Sequence, residues 1–283
     1  MTEKDIKHKL HKESFVPSKK MGQNFLLSNQ IKKRIVDEAD VGPDDLVIEI
    51  GPGLGAITDI LVQRAKFVQA IELDKRLYAH LIERIKVINF NVINQDVLKL
   101  DLDQLILDLL AKQSYKNIKV VANLPYSISS KIIEKLIKCQ FIQKSFIMVQ
   151  KEMADRITAR VNSKDYNAFS VFVQMFAEST TLFDVPPQNF YPAPQVMSSV
   201  VLLENTPAVC NDPHTMLKFL RLSFLNRRKK LVNNLCTVYP KSRVLDALNE
   251  LKLNENIRAQ NLTQTNFINL FKILIGGTNN EGY

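Results

Sequence analysis

The sequence contains no tryptophan, only three cysteines and only four histidines among 283 residues. Cys139, Cys210 and Cys236 lie far apart and form no CxxC pair, which argues against a disulfide framework and against a zinc site. His8, His11, His80 and His214 do not gather with cysteines or carboxylates at ligand spacing, so no metal is expected. No apolar run approaches the roughly 18–20 residues that cross a bilayer. The opening MTEKDIKHKLHKE lacks the apolar core of a signal peptide. A reduced, cytoplasmic protein without a membrane partner is expected. Glycine is scarce as well, with eight in all, yet Gly51, Gly53 and Gly55 crowd into one short segment.

Hydrophobic residues make up 46% and charged residues 24%, an ordinary balance for a globular chain. The length allows one large domain and a smaller one. The formal net charge is +9 and the sequence pI near 9.3. Such an excess favours a polyanionic partner such as nucleic acid, although a merely basic housekeeping protein would look the same. Residues 207–283 carry 11 Lys and Arg against 5 Asp and Glu, so much of the excess lies there.

Residues 1–20 are polar and basic and are expected to fray. Ile31, Ile35, Val36 and Ala39 repeat at helical spacing, and Gly42-Pro43 ends that helix. Strands and helices then alternate. Strands are predicted over Leu46–Ile50, Phe67–Leu73, Asn91–Ile93, Ile118–Ala122 and Ser145–Val149, and helices over Ala56–Arg64, Tyr78–Lys86 and Ile132–Lys138. Alternation of this kind implies a doubly wound α/β fold, a Rossmann-like parallel sheet with right-handed crossovers. Two β-rich runs follow, Thr180–Val185 and Val196–Leu203, separated by PPQNFYPAPQ, and these suit an antiparallel edge on the same sheet. Beyond residue 206 the chain reads as helical over Met216–Leu225, Lys229–Cys236, Val244–Leu251 and Phe267–Ile275. The expected division is a domain over 1–206 and a small helical domain over 207–283.

Glu49-Ile50-Gly51-Pro52-Gly53-Leu54-Gly55 follows a predicted strand and precedes a predicted helix, the place where a doubly wound sheet binds its ligand. The spacing is GxGxG and not the GxGxxG of dinucleotide sites. Pro52 also lacks the N–H that a pyrophosphate cradle would use. The loop therefore suits S-adenosylmethionine, which carries no phosphate; a plain glycine turn is the alternative. Glu72 ends the second strand, 21 residues after Gly51, where a carboxylate can accept both ribose hydroxyls. Asp96 follows the third strand at the same rim and can accept from the adenine amine of the cofactor. A solvated strand end for Glu72 and an Asx turn for Asp96 are the bland readings.

Asn123-Leu124-Pro125-Tyr126 follows the fourth strand directly. The exocyclic amine of adenine is a poor nucleophile because its lone pair is delocalised into the ring. An amide oxygen from Asn123 and the Leu124 carbonyl, accepting both amine protons, would draw the nitrogen toward tetrahedral geometry. Pro125 stiffens the turn, and Tyr126 offers a ring face for stacking. Phe190, displayed among prolines, could stack on the other face of an extruded base. A buried loop anchor is its alternative.

These residues resemble the ribosomal RNA adenine dimethyltransferases of the small-subunit type. The matching segments are Gly22–Leu26, Glu49–Gly55, Glu72, Asp96, Asn123–Tyr126, Phe190–Val196 and Phe224–Lys229, in family order over roughly residues 20–235. The resemblance implies that Asn24 and Leu26 touch the cofactor from an N-terminal segment closing over it, with Gly51, Gly53, Glu72, Asp96 and Asn123 around it. It implies that Tyr126 and Phe190 sandwich the adenine. Its substrate would be two adjacent adenines near the 3′ end of 16S rRNA in a partly assembled small ribosomal subunit, each methylated twice by a monomeric enzyme. Met197 departs from the family, which usually carries aspartate there. Arg227, Arg228, Lys229 and Lys230 open the second C-terminal helix as a grip for RNA phosphates, or form a solvated face. Three other readings compete. A large-subunit rRNA methyltransferase of the antibiotic-resistance type shares the motifs. The glycine spacing disfavours an NAD-dependent oxidoreductase, and the intact Asn123–Tyr126 turn disfavours a non-catalytic RNA-binding factor.

Overall fold

The computed structural model describes residues 17–18, 22–207 and 212–276, so the expectations for His8, His11, Cys210 and the first sixteen residues lie outside the described part. The central sheet is built from β2 (Asp45–Ile50), β3 (Phe67–Glu72), β4 (Phe90–Asn94), β5 (Asn117–Asn123), β6 (Lys144–Gln150), β7 (Ala177–Val185) and β9 (Ser198–Asn205). Their order across the sheet is β4-β3-β2-β5-β6-β9-β7. Neighbours from β4 through β6 run parallel, and β9 runs antiparallel to β6. Central strands must be covered on both faces, which is why β2 and β5 read as continuous apolar runs: Leu46, Val47, Ile48, Val120 and Val121 are wholly buried. A separate two-stranded pair joins β1 (Phe25–Leu26) to β8 (Phe190–Tyr191).

The first helices are α1 (Asn29–Glu38), α2 (Thr58–Leu61), α3 (Lys75–Arg84), α4 (Leu102–Leu110) and α5 (Ser129–Lys138). Ser28, Asp74 and Asp101 cap α1, α3 and α4 by accepting from backbone N–H groups of the first turn. The helix expected over Ala56–Arg64 contracts to the four residues of α2, with turns on either side. Helix α4 was not foreseen. Six of its nine residues are Leu or Ile, three of them in the buried Leu102, Ile106 and Leu109 stripe and three outside it, and so many apolar positions blur the helical period.

Two further unforeseen helices, α6 (Lys151–Ile157) and α7 (Ala168–Gln174), follow β6. Helix α7 is rich in Val and Phe, residues that favour strands. Its start is nevertheless fixed by a capping box in which the Asn167 side chain accepts from Ser170 N–H and the Ser170 hydroxyl accepts from Asn167 N–H. After the sheet come α8 (Pro213–Ser223), α9 (Leu231–Leu235), α10 (Lys241–Glu250) and α11 (Gln264–Gly276).

The chain divides into two compact units. The first runs up to Ala154 and resumes over Ser179–Asn205; the second takes Asp155–Glu178 and the chain from Thr206 onward. Residues 155–178, which the sequence assigned to the 1–206 domain, thus group with the C-terminal helices. The physical reason is Tyr166, fully buried, whose hydroxyl donates to the Leu262 carbonyl at 3.0 Å and whose ring meets Phe224 edge-on. Phe224 packs in turn on Phe267. Among the described residues no helix is long and apolar enough to cross a membrane, and no group of His, Cys, Asp and Glu could hold a metal ion.

Candidate active site

The carboxyl ends of β2, β3, β4 and β5 open into one pocket, the position a doubly wound sheet reserves for ligands. The glycine loop leaves β2 through Gly51 (φ +68°), and Gly51 N–H is donated to Ile71 O at 3.0 Å. Gly55 (φ +79°) holds a conformation that strains any L side chain, and a Cβ there would also displace the ends of the Arg84 and Leu81 side chains. Arg84 binds the loop from outside, donating to Gly55 O at 3.1 Å and to Asp59 at 2.6 Å.

Three carboxylates line the pocket: Glu49, Glu72 and Asp96. Burial pushes the Glu49 carboxyl up to about 8, although the Thr58 hydroxyl donates to it at 2.7 Å. Burial likewise pushes Glu72 up to about 7, against the lowering effect of N–H donation from Asp74 (2.8 Å) and Gly53 (3.2 Å). Asp96 forms the Asx turn, accepting from Leu98 N–H at 2.9 Å, and lines the pocket as well. Among the described residues the lining contains no Lys, Arg or His. A pocket with acids and no cation suits hydroxyl and amine donors and repels a pyrophosphate, which removes support from the dinucleotide reading.

The Asn123–Tyr126 turn closes the other side of the same pocket. Leu124 N–H is donated to Met148 O at 3.0 Å, which fixes the peptide at the end of β5. Asn123 Nδ2 donates to Asn24 O at 3.0 Å, so the amide nitrogen faces the N-terminal segment and the amide oxygen points away from it. Pro125 (φ −61°) leads into a single 3₁₀ turn at Tyr126–Ile128. Gly22 lies against this turn, since a Cβ on it would meet Pro125 and the Tyr126 nitrogen at 3.9 Å.

Sequence reasoning missed the anchor of that N-terminal segment. Gln23 donates to Asp74 Oδ2 at 3.0 Å, and the Arg76 guanidinium on the same carboxylate holds Asp74 down at about 2. Gly22–Leu26 is therefore a strap tied to the Glu72 loop at one point and to Asn123 at another. No periodicity or motif could have revealed Gln23, whose partner is 51 residues away.

The structure gathers Asn24, Leu26, Gly51, Gly53, Glu72, Asp96, Asn123, Leu124, Pro125 and Tyr126 around one pocket. It does not bring Phe190 there. Phe190 is 3% exposed and packs in the core cluster with Leu26, its partner in the β1–β8 register. Pairing with the strap turns this ring inward. Arg227, Arg228, Lys229 and Lys230 also lie elsewhere, in the second unit. They do not open a helix: all four are exposed in the turn between α8 and α9, and Lys230 only flanks the latter. Four cations inside the first turn of a helix would oppose its dipole, and the turn avoids this.

A family model described as ribosomal RNA adenine dimethylase matches residues 16–276. The chain is 54% identical over 275 residues to a ribosomal RNA small subunit methyltransferase A from Ureaplasma parvum serovar 3, covering 97% of this chain and 99% of that one. Its fold is similar to a dimethyladenosine transferase from Plasmodium falciparum, with a TM-score of 0.75, 27% identity and coverage of 87% and 96%. It is also similar to the 23S rRNA methyltransferase ErmE, with a TM-score of 0.65, 24% identity and coverage of 88% and 99%, a likeness that shows the fold alone. The glycine loop, the acid-lined pocket and the Asn-Leu-Pro-Tyr turn thus stand in a chain matched over most of its length, and the protein belongs to the ribosomal RNA adenine dimethylase family, which uses S-adenosylmethionine as methyl donor.

Proposed function

We propose that the protein methylates the N6 amine of two adjacent adenines near the 3′ end of small-subunit rRNA, twice each, and that the pocket at the strand ends is where it does so. What supports this reading is one juxtaposition: the Asn123–Tyr126 turn and the Gly51–Glu72–Asp96 wall share a single pocket. S-adenosylmethionine supplies a methyl group on a positively charged sulfur, so no strong general base is needed. Glu72, held rigidly by two backbone N–H groups, retains lone pairs for the ribose hydroxyls. Gly51 and Gly53 let the backbone approach without a Cβ in the way. Asn123, its nitrogen committed to the strap, presents its oxygen to the target amine. That contact strengthens as the nitrogen becomes tetrahedral and positive, so it acts on the transition state more than on the ground state. The Tyr126 ring stacks the extruded adenine. Phe190 supports Leu26 of the strap from behind and presents no open stacking face.

The exposed Arg227–Lys230 turn grips phosphates and holds the polyanion by charge. Transfer of labelled methyl from S-adenosylmethionine to undermethylated small subunits mixed with large subunits, followed by nucleoside analysis and primer extension on both rRNAs, tests the reading. Label in dimethyladenosine of the small-subunit RNA is expected. Label confined to large-subunit RNA would overturn it in favour of the antibiotic-resistance type.

A further inference from the structure

We infer that Ser198 is a positioning residue for methyl transfer: its hydroxyl fixes the Tyr126 ring against which the target adenine stacks. The inference rests on the proposed stacking role of Tyr126. The phenol oxygen of Tyr126 and Ser198 Oγ are 2.8 Å apart. Ser198 is fully buried and is the first residue of β9, opposite Gln150 at the far end of β6. Tyr126 lines the pocket at the end of β5, two strands away, and is only partly buried.

A tyrosine ring has two soft torsions. Here the backbone of the 3₁₀ turn holds one end of the side chain and Ser198 holds the para oxygen, so both torsions are set before any base arrives. Ser199 anchors the same strand on its opposite face, where its hydroxyl donates to Asp184 at 2.7 Å and Asp184 pairs with Lys151 at 3.2 Å. Successive side chains of a strand point to opposite faces, so these two serines hold β9 from both sides while only Ser198 reaches the pocket wall. Ser198 is thereby fixed firmly enough to fix something else. A ring free to swing would present the stacked amine at variable distance from the methyl group, and small misplacements cost rate steeply.

The test is single-turnover methylation of undermethylated small subunits at saturating S-adenosylmethionine, with calorimetric cofactor titration alongside. Ser198→Ala and Tyr126→Phe each remove one partner of the hydrogen bond. Each is expected to slow transfer roughly three- to tenfold, the equivalent of one net hydrogen bond. The double variant should be no slower than either single one, and cofactor affinity should not change. Losses that multiply, or cofactor affinity falling in step with rate, would mean that Ser198 is only a structural hydroxyl. Where Ser198→Ala fails to fold, Tyr126→Phe alone decides, and a wild-type rate for it overturns the inference. Tyr126→Ala separates the two levels. A wild-type rate there defeats the stacking role itself, whereas a slow Tyr126→Ala beside fast Tyr126→Phe and Ser198→Ala defeats only the inference about Ser198.

Discussion

The pocket of the first unit and the basic turn of the second are opposites in nearly every physical respect. The pocket is walled by two carboxyls, Glu49 and Glu72, that are 3% and 6% exposed, and among the described residues its lining holds no cation. Its polar groups are tied down by hydrogen bonds spanning 19, 51 and 99 residues. The turn displays four consecutive cations to solvent; Lys229 N–H donates to Asn226 O at 3.0 Å within it, and Asn234 Nδ2 of α9 donates to Ser223 O at 2.7 Å and to Asn226 O at 3.2 Å. One region offers fixed, buried geometry; the other offers exposed charge that salt can screen. Mutations should therefore act on rate and fit in the first, and on salt-dependent affinity in the second.

The sharpest way to break this contrast is Asn123→Ala. Loss of one transition-state acceptor typically costs about 10²–10³ in rate, while binding of RNA and cofactor should change far less. A near-wild-type single-turnover rate at saturating substrate would make the Asn-Leu-Pro-Tyr turn structural. Next in size is replacement of Arg227, Arg228, Lys229 and Lys230 together by glutamine. Each lost phosphate contact should lower the salt slope of RNA binding by about one unit, with single-turnover rate at saturation kept. An unchanged slope would reduce the turn to a solvated surface.

Glu72→Ala should weaken S-adenosylmethionine binding by about 1.5–3 kcal/mol, since a charged acceptor of two hydroxyls is lost. In the unaltered protein, cofactor affinity should rise as pH climbs through about 7, where Glu72 ionises, and level off above it. Calorimetry across pH 5.5–8.5 (roughly 1.5 units either side of that value) reads both effects, and a flat profile together with unchanged affinity would take Glu72 out of the site.

The last effect expected is on stability. Glu49 keeps its proton in the fold up to about 8 but loses it near 4.5 when unfolded, so stability falls as pH rises between these values. Glu49→Gln has no proton to lose there. Its melting temperature relative to the unaltered protein should rise by several degrees from pH 5 to pH 8, as thermal melts would reveal. A constant difference would mean that Glu49 is already ionised in the fold.

Much of this was legible in the sequence for a physical reason. The sheet strands are short apolar runs with turn residues at their ends, and the pocket lies at those ends, so Glu72, Asp96 and Asn123 could be placed at it by counting along the chain. The strap's anchor could not be placed that way, because α1 and the whole β2–α2–β3 unit lie between Gln23 and Asp74 in the chain. Phe190 left two readings open for a related reason: proline neighbours suggest display, whereas pairing of its two-residue strand with Phe25–Leu26, which packs the ring in the core, joins residues far apart in the chain. Helix α7 defeated propensity because Val171, Phe172 and Val173 are buried in the second unit, a tertiary fact, while its start is set by one Asn–Ser capping box.

The order in which the chain visits its two units has a consequence for synthesis. Strand β6, KSFIMVQ, is apolar and strongly strand-forming, and its outer edge is covered by β9. Roughly fifty residues must be added between the two, and a ribosome adds about 5–20 residues per second. For several seconds the nascent sheet therefore presents a bare apolar edge, the kind of template on which chains aggregate. The excursion through α6 and α7 is thus also an interval of exposure during translation, and closing it depends on the arrival of Ser198 and the strand it begins.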